Sequence, residues 1–216
     1  EERALTVEEM RRAATSTSLY LLAELDDRVV GAGIGGRSDL AGQGFLSPRV
    51  LPEARRRGVG TALLRELAEH VQQLGFDRAG TFVDDLGSLA FAERFGFREV
   101  DRDVEQVRTV GDEPRPVPPP GIEVVSLAER PELFEHAYHK LALEAFRDFA
   151  LDRPIEISPE DWEREWQVWP EASFFALADG ELVGMAGLVR DEDHPERAEN
   201  SLSAVRRDWR RRGIAS

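Results

Sequence analysis

Three arginines and two glycines stand together in the stretch Val50-Leu-Pro-Glu-Ala-Arg-Arg-Arg-Gly-Val-Gly-Thr61. The stretch runs directly into Ala62–Leu74, where leucines recur at the spacing of one helical face, and Gly75 is expected to end that helix. Before it, the apolar run Gln43–Leu51 predicts a strand. The arginines and glycines therefore belong to a strand-to-helix junction, where backbone N–H groups have no partner within the helix.

The charges at this junction indicate an anion-binding site. Arg55, Arg56 and Arg57 would each oppose the helix dipole by about 0.3–1 kcal/mol if nothing negative compensated them. A phosphate would use the free N–H groups, the dipole and the guanidinium groups together, and Gly58 and Gly60 would leave room for it. The alternative is a solvent-exposed basic cap or a nucleic-acid patch. A Walker A loop is excluded, because no Lys-Ser/Thr pair follows a Gly-x4-Gly frame.

The same stretch returns as Val205-Arg-Arg-Asp-Trp-Arg-Arg-Arg-Gly-Ile-Ala-Ser216, at an offset of 155 residues. Two further pairs of matching segments precede it in the same order. Thr6–Met10 and Ser158–Trp162 each begin with a hydroxyl side chain that predicts a helix N-cap. Ala23–Gly31 and Ala176–Gly184 each predict a β-hairpin around an Asp-Asp or Asp-Gly turn. Three ordered matches indicate an internal duplication.

The duplication predicts the domain organisation. Gly111–Gly121 contains five prolines in eleven residues, which disfavours helix and central strand and predicts a semi-rigid linker. We expect a first domain over residues 1–110 that lacks its first strand and helix, a linker over 111–121, and a second domain over 122–216 that stops at the start of its helix. The unmatched parts of the two copies suggest a longer parent protein.

Two motifs resemble the GNAT superfamily of acetyl-CoA-dependent N-acetyltransferases. Arg-x-x-Gly-x-Gly/Ala at the start of a helix is similar to the pyrophosphate-binding signature of that superfamily, and Ser88–Phe97 resembles its later CoA-side helix, which ends in Gly-Phe. The repeated signature makes the arrangement similar to two-domain members. The resemblance implies a mixed α/β (α+β) fold of tandem GNAT-like domains, each with a mixed central sheet flanked by helices.

The resemblance also implies acetyl-CoA as the cosubstrate and assigns residues to it. Backbone amides of the junction would hold the pyrophosphate, and the end of the preceding strand would pair with the pantetheine arm. The implied cofactor-binding residues of the first copy are Val50, Arg55, Arg56, Arg57, Gly58, Val59, Gly60 and Thr61. Those of the second copy are Val205, Arg210, Arg211, Arg212, Gly213, Ile214, Ala215 and Ser216.

The implied reaction is direct transfer of acetyl to a primary amine of a small molecule or peptide. A neutral amine attacks the thioester, backbone N–H groups stabilise the oxyanion, and the thiolate leaves with a proton. The family usually draws that proton from a tyrosine four residues before the Gly of Gly-Phe. That position is Ala92 here, and the family's common asparagine falls on Asp85. The catalytic residues are therefore unassigned, and the alternative is a non-catalytic first copy that binds CoA and supports or regulates the second.

Other patterns have structural interpretations. Gly31–Gly36 matches Gly-x-Gly-x-x-Gly, but no amphipathic helix follows it, so we expect a flexible strand end and no dinucleotide site. Trp162, Trp166 and Trp169 recur at helical spacing, which fits core packing better than an acceptor pocket. A predicted helix from about Pro131 to Phe149 carries acids that would favour a cationic amine.

Composition and charge limit the class of function. The net charge of −14 argues against nucleic acid as a partner. The absence of cysteine excludes disulfides, thiol nucleophiles and Cys-ligated zinc, and with only four histidines no metal site is expected. No apolar run approaches the ~20 residues that cross a bilayer, and no signal-peptide pattern is present. We expect a cytoplasmic protein with no membrane partner, and an oligomer is compatible with these features.

Overall fold

The chain folds as two compact units, Glu1–Arg102 and Asp103–Ser216. The computed structural model describes residues 14–112, 114, 116–149, 153–191 and 194–215, so the helix predicted at Thr6–Met10 lies outside the described residues. Each unit contains a four-stranded sheet with flanking helices. This architecture confirms the predicted mixed α/β fold of tandem domains, while the limits set around the linker at 111–121 stay a prediction.

The first unit is built from β1 (Leu19–Leu25), β2 (Arg28–Arg37), β3 (Gly44–Val50), α1 (Val59–Gln73), β4 (Ala79–Gly80) and α2 (Leu86–Arg94). Strands β1, β2 and β3 pair antiparallel, whereas β4 runs parallel to β3. A parallel pair needs a crossover connection, and α1 supplies it. The predicted strand and helix on either side of the arginines are thus confirmed.

Helix α1 packs closely on the sheet because leucines on the helix face glycines on β2. Its buried face consists of Leu63, Leu64, Leu67 and Val71. A Cβ at Gly33 on β2 would lie 3.0 Å from the Leu67 side chain, and a Cβ at Gly35 would lie 3.2 Å from it. The glycines therefore permit the close approach of helix and sheet. The flexible strand end expected at Gly31–Gly36 is wrong, because these residues belong to β2.

The second unit is built from β5 (Ile122–Ser126), α3 (Leu133–Ala137), α4 (Leu143–Asp148), α5 (Pro159–Glu165), β6 (Phe174–Ala178), β7 (Glu181–Arg190) and β8 (Ala198–Val205). A π-helical turn at Tyr138–Ala142 joins α3 to α4, so the helix predicted from Pro131 to Phe149 is present as one continuous helical run. The strands pair antiparallel in the order β5-β6-β7-β8, so among the described residues the mixed pairing expected for each sheet is present in the first unit only. Among the helices in the described ranges, none has the length and apolar character needed to cross a membrane.

An aromatic cluster forms much of the second core. Trp162 on α5 is 1% exposed, donates its Nε1–H to the Phe134 carbonyl at 3.2 Å, and stacks on the rings of Phe134 and Trp166. Core packing is therefore confirmed for Trp162. Helix α5 ends at Glu165, and Trp169 lies beyond it with the Arg190 guanidinium 5.3 Å from its ring centre. The three tryptophans consequently do not share one helix face.

The two predicted hairpins have the same turn. Positive φ occurs at both central positions of each turn: Asp26 (52°), Asp27 (59°), Asp179 (49°) and Gly180 (80°). This pattern is that of a type I′ turn, whose twist matches that of the flanking strands. Each hairpin also carries a register shift, after Ala23 in the first unit and after Ala176 in the second. The duplication seen in the sequence therefore extends to the backbone.

Candidate functional site

The strand-to-helix junction of the first unit is a tight loop between β3 and α1. A 3₁₀ turn over Pro52–Ala54 follows the strand. Arg56 then has a φ of 64° and Gly58 a φ of 90°. The first hydrogen bond from α1 runs from the Ala62 amide to the Gly58 carbonyl at 3.0 Å. The amides at positions 59–61 precede that bond, so they lie at the open N-terminus of the helix.

The second unit repeats this loop. A 3₁₀ turn over Arg207–Trp209 follows β8, Arg211 has the same φ of 64° as Arg56, and Gly213 has a φ of 78°. The described part of the loop extends to Ala215, and Ser216 lies outside it. The two junctions share left-handed positions as well as sequence, which is the backbone signature of the duplicated motif.

The first arginine of each triplet is bound within its own loop. Arg55 Nε donates a hydrogen bond to the Val50 carbonyl at 3.2 Å, and Arg210 Nε donates one to the Val205 carbonyl at 2.8 Å. Val50 and Val205 are the last residues of β3 and β8. Each arginine therefore connects its loop back to the end of the preceding strand. Sequence alone does not distinguish this role from that of an anion ligand.

The other arginines of the loops lie at the surface. Arg57 Nη2 is 3.4 Å from Asp26 Oδ2 in an exposed pair, and the Arg212 guanidinium lies 4.4 Å from the centre of the Trp209 ring. Arg56 and Arg211 are also exposed. An exposed ion pair contributes little to stability, so Arg57 can reorient toward an anion at small cost. Arg212 is held more firmly, because its Nη2 also donates a hydrogen bond to the Asp208 carbonyl at 2.9 Å.

Two carboxylates of α4 contact the second loop. Glu144 and Asp148 lie four residues apart and so share one face of the helix. Asp148 bridges Arg207 and Arg210, and its Oδ2 lies 2.6 Å from Arg210 Nη2. Glu144 accepts a hydrogen bond from the Arg207 amide at 2.8 Å. The guanidinium groups of Arg207 and Arg210 hold the pKa of Asp148 below its usual range.

The short helix predicted within Ser88–Phe97 is confirmed as α2, and Asp85 is its N-cap. One oxygen of Asp85 accepts hydrogen bonds from the amides of Gly87 at 2.6 Å and Ser88 at 2.9 Å. The hydroxyl and amide of Ser88 hold the pKa of Asp85 below its usual range, and the charge of Arg55 contributes in the same direction. The position of the family asparagine therefore has a capping role.

The start of α2 lies close to the first loop. Asp84 forms an ion pair with Arg49 on β3, with 3.3 Å between Nη1 and Oδ2. A Cβ at Gly60 would lie 3.5 Å from the ring of Phe91 on α2 and 3.6 Å from the Val50 side chain. The fold thus brings the two motifs that the sequence singled out to the same end of β3.

A buried alanine stands where the resemblance places the family's tyrosine. Ala92 is 7% exposed, and its carbonyl accepts the amides of Phe95 at 2.9 Å and Phe97 at 3.2 Å. Gly96, with a φ of 85°, completes this Schellman-type helix end, which explains the Gly-Phe pair. Alanine has no acidic proton to donate. Tyr20 is the one tyrosine in the sequence of the first unit, and it lies on β1, opposite Ile34 of β2.

A cleft of about 420 Å³ opens beside α3 and α5 in the second unit. Its lining includes the aromatic residues Phe134 and Trp166 and the acidic residues Glu132, Glu135 and Glu163. Glu132 also pairs with Arg130, with 2.5 Å between Oε1 and Nε. Aromatic faces and carboxylates together favour a cation.

The sequence matches the acetyltransferase (GNAT) family over residues 2–97 and 136–216. The chain therefore belongs to the acetyltransferase (GNAT) family. It is an N-acetyltransferase, and acetyl-CoA is the acetyl donor of its family. The two matched segments correspond to the two copies of the repeat.

Two solved structures are similar to nearly the whole chain in fold. A tandem GNAT protein from the clavulanic acid biosynthesis pathway is 20% identical, with a TM-score of 0.65 and coverage of 96% of this chain and 70% of that chain. A GCN5-related N-acetyltransferase from Sphaerobacter thermophilus is 23% identical, with a TM-score of 0.61 and coverage of 92% and 64%. An aminoglycoside antibiotic 6′-N-acetyltransferase from Acinetobacter haemolyticus is 25% identical, with a TM-score of 0.39 and coverage of 48% and 79%. No curated protein sequence matches the chain.

Proposed function

We propose that the protein transfers acetyl from acetyl-CoA to a primary amine of a small molecule or peptide by direct attack, and that the loops Val50–Thr61 and Val205–Ser216 hold the cofactor. The observation that carries this proposal is the open helix N-terminus after β3, with the same φ signature after β8. Family membership supplies the reaction class.

The first loop fits a pyrophosphate on its own geometry. A Cβ at Gly58 would meet nothing within 4 Å, so the space beside the start of α1 is open. The amides at 59–61 are neutral donors at the start of α1, and Arg56 and Arg57 are exposed in the same loop and add charged donors. Such a donor set suits a polyanion.

In this proposal the protein binds acetyl-CoA and holds its thioester in one orientation relative to the amine. Bound acetyl-CoA supplies the activated thioester. The amides at 59–61 hold the pyrophosphate charge at the helix N-terminus, and the end of β3 lies beside the pantetheine arm. Orientation of this kind accounts for a large part of the rate enhancement in a direct transfer.

The cleft beside α3 and α5 supports an acceptor of cationic character. Carboxylates of Glu135 and Glu163 would attract an ammonium group, and the Trp166 ring adds a cation–π surface. Replacing both acids with glutamine is expected to raise KM for amines that carry a second positive charge more than for singly charged amines. Steady-state kinetics with a matched pair of mono- and diamines measures this, and equal changes for the two amines would contradict it.

The second candidate is a first copy that binds acetyl-CoA without turnover and supports or regulates the second copy. The buried Ala92 favours it, because the position lacks a proton donor for the leaving thiolate. The two candidates differ in whether the first copy turns acetyl-CoA over or only binds it.

Calorimetry and a free-thiol assay test the proposal. We expect the protein to bind acetyl-CoA and to release CoA only when an amine acceptor is present. Gly58→Val should remove the first site, because a β-branched residue cannot adopt the φ of 90° without strain. Failure of the unaltered protein to bind acetyl-CoA would refute the assigned loops, and binding without acceptor-dependent release would favour a binding module.

A further inference from the structure

We propose that the first arginine of each triplet, Arg55 in the first unit and Arg210 in the second, is a positioning residue that braces the cofactor loop and is not itself an anion ligand. The inference rests on the proposed function of the two loops.

The same hydrogen bond occurs in two different surroundings. Nε donates to the carbonyl of the last strand residue in both units, at 3.2 Å in the first and 2.8 Å in the second. The intervening 3₁₀ turn is Pro-Glu-Ala in the first unit and Arg-Asp-Trp in the second. Because the turn sequences differ while the bond is the same, the bond is a property of the arginine position.

The charge of Arg210 is already compensated. Its Nη2 lies 2.6 Å from Asp148 Oδ2 and 3.6 Å from Glu144 Oε1. Either bidentate contact between an arginine and a phosphate uses Nη2, and Nη2 of Arg210 is already bound to a carboxylate. A phosphate would have to displace a carboxylate that belongs to the same unit.

The hydrogen bond from Nε to the strand-end carbonyl, called the brace below, explains how the next residue keeps its left-handed conformation. Arg56 and Arg211 directly follow the braced arginines and both have a φ of 64°. A non-glycine residue stays in the left-handed region only when its surroundings fix it there. The bond from Nε to the strand end closes the turn immediately before this residue. The amides at 59–61 therefore keep the arrangement that an anion needs.

Two substitutions separate the donor from the charge. In Arg55→Gln, the side-chain amide nitrogen occupies the same place along the side chain as Nε, so the donor is kept and the charge is lost. In Arg55→Lys, a methylene stands at that place and the charge is kept one atom further out. A brace requires the donor, whereas an anion ligand requires the charge.

The test is calorimetry with acetyl-CoA on the full chain carrying Gly213→Val, so that one site is measured. We expect Arg55→Gln to keep the affinity within about threefold and Arg55→Lys to weaken it about tenfold, as one lost hydrogen bond implies. Arg57→Gln serves as the matched loss of charge in the same loop and should reduce the salt dependence of binding, whereas Arg55→Gln should not.

The opposite order, with the lysine variant binding and the glutamine variant weakened, would overturn the brace, and so would equal losses in both. Absence of binding before any change at Arg55 would instead refute the cofactor loop itself. Thermal unfolding checks that each variant is folded. The reciprocal pair, Arg210→Gln and Arg210→Lys in a Gly58→Val chain, repeats the test if an Arg55 variant does not fold.

Discussion

Gly58 and Gly60 lie two residues apart in the first loop but have different environments. Gly58 has a φ of 90° and open space around its Cα, whereas Gly60 is inside α1, where a Cβ would lie 3.5 Å from Phe91. The first glycine is therefore needed for backbone conformation. The second is compatible with alanine, which stands at the equivalent position as Ala215.

We expect Gly58→Ala to lower the free energy of unfolding by about 1–2 kcal/mol, because a Cβ disfavours the left-handed region. Gly60→Ala should raise it by about 0.5–1 kcal/mol, because alanine is a better helix former. Urea unfolding of the two variants measures both effects. Shifts of the same sign would contradict the assignment of separate roles.

Asp85 provides a test of the α2 cap. Its carboxylate accepts two amides at the start of the helix, and its pKa is held below the usual range chiefly by Ser88. A depressed pKa in the folded state means that the carboxylate stabilises the fold above the pKa of the unfolded chain. This stabilisation is lost as the pH falls through the lower folded pKa.

We expect Asp85→Ala to destabilise the first unit at pH 7, whereas Asp85→Asn should retain most of the cap, because its amide oxygen also accepts. The loss of stability below about pH 4 should be smaller in Asp85→Asn than in the unaltered protein. Unfolding curves at pH 7 and at pH 3 measure both effects. An asparagine variant with an unchanged acid dependence would show that the carboxyl is not involved.

Local patterns predicted the loops but not the partners of their side chains. Glycine, arginine and leucine spacing located the strand-to-helix junctions, because such junctions depend on neighbours in the sequence. The bond between Arg210 and Asp148 joins residues 62 positions apart, and no local pattern pairs them. The bond from Arg55 to Val50 is local, since it spans five residues, but the sequence signal of a loop-bracing arginine is identical to that of an anion ligand.

Among the helices and strands, the hairpins were predictable because a two-residue turn is local. The sequence favoured a flexible strand end at Gly31–Gly36, whereas these glycines are part of β2. They are required by another element, because the leucines of α1 pack directly against most of them. The π-helical turn at Tyr138–Ala142 was also absent from the prediction, since apolar spacing reports a helical face and not the type of hydrogen bond within it. Contacts between helices and strands therefore account for most of the structural features that the sequence patterns did not predict.

The two hairpins offer reciprocal substitutions at one position of the turn. Asp27 has a φ of 59° where the second copy has Gly180 with a φ of 80°. Asp27→Gly should stabilise the first unit by about 0.5 kcal/mol, because relief of left-handed strain exceeds the entropy that glycine loses on folding. Gly180→Asp should destabilise the second unit by a similar amount. Urea unfolding measures both, and a destabilising Asp27→Gly would show that the aspartate makes a stabilising contact in the turn.

Across the whole chain, a net charge of −14 coexists with two arginine-rich loops. Exposed charges beyond about 8 Å are screened at physiological ionic strength, so distant acids do little to repel a polyanion held at a loop. In the second loop, acids also take part in the structure, since Asp148 and Glu144 bind Arg207 and Arg210. The acidic composition and the proposed anion sites are therefore compatible, and composition alone could not have located either site.

The two copies of the motif differ most in the chemistry available beside the loop. The first copy has the buried Ala92 at the position of the family tyrosine, and general acid catalysis is typically worth about 10²–10⁴ in rate. We expect the first site to bind acetyl-CoA and to contribute little to turnover. Gly213→Val should therefore lower acceptor-dependent CoA release more than Gly58→Val does, although each variant removes one binding site by calorimetry. Equal losses of turnover in the two variants, or a larger loss in Gly58→Val, would place catalysis in the first copy and require a proton donor other than residue 92.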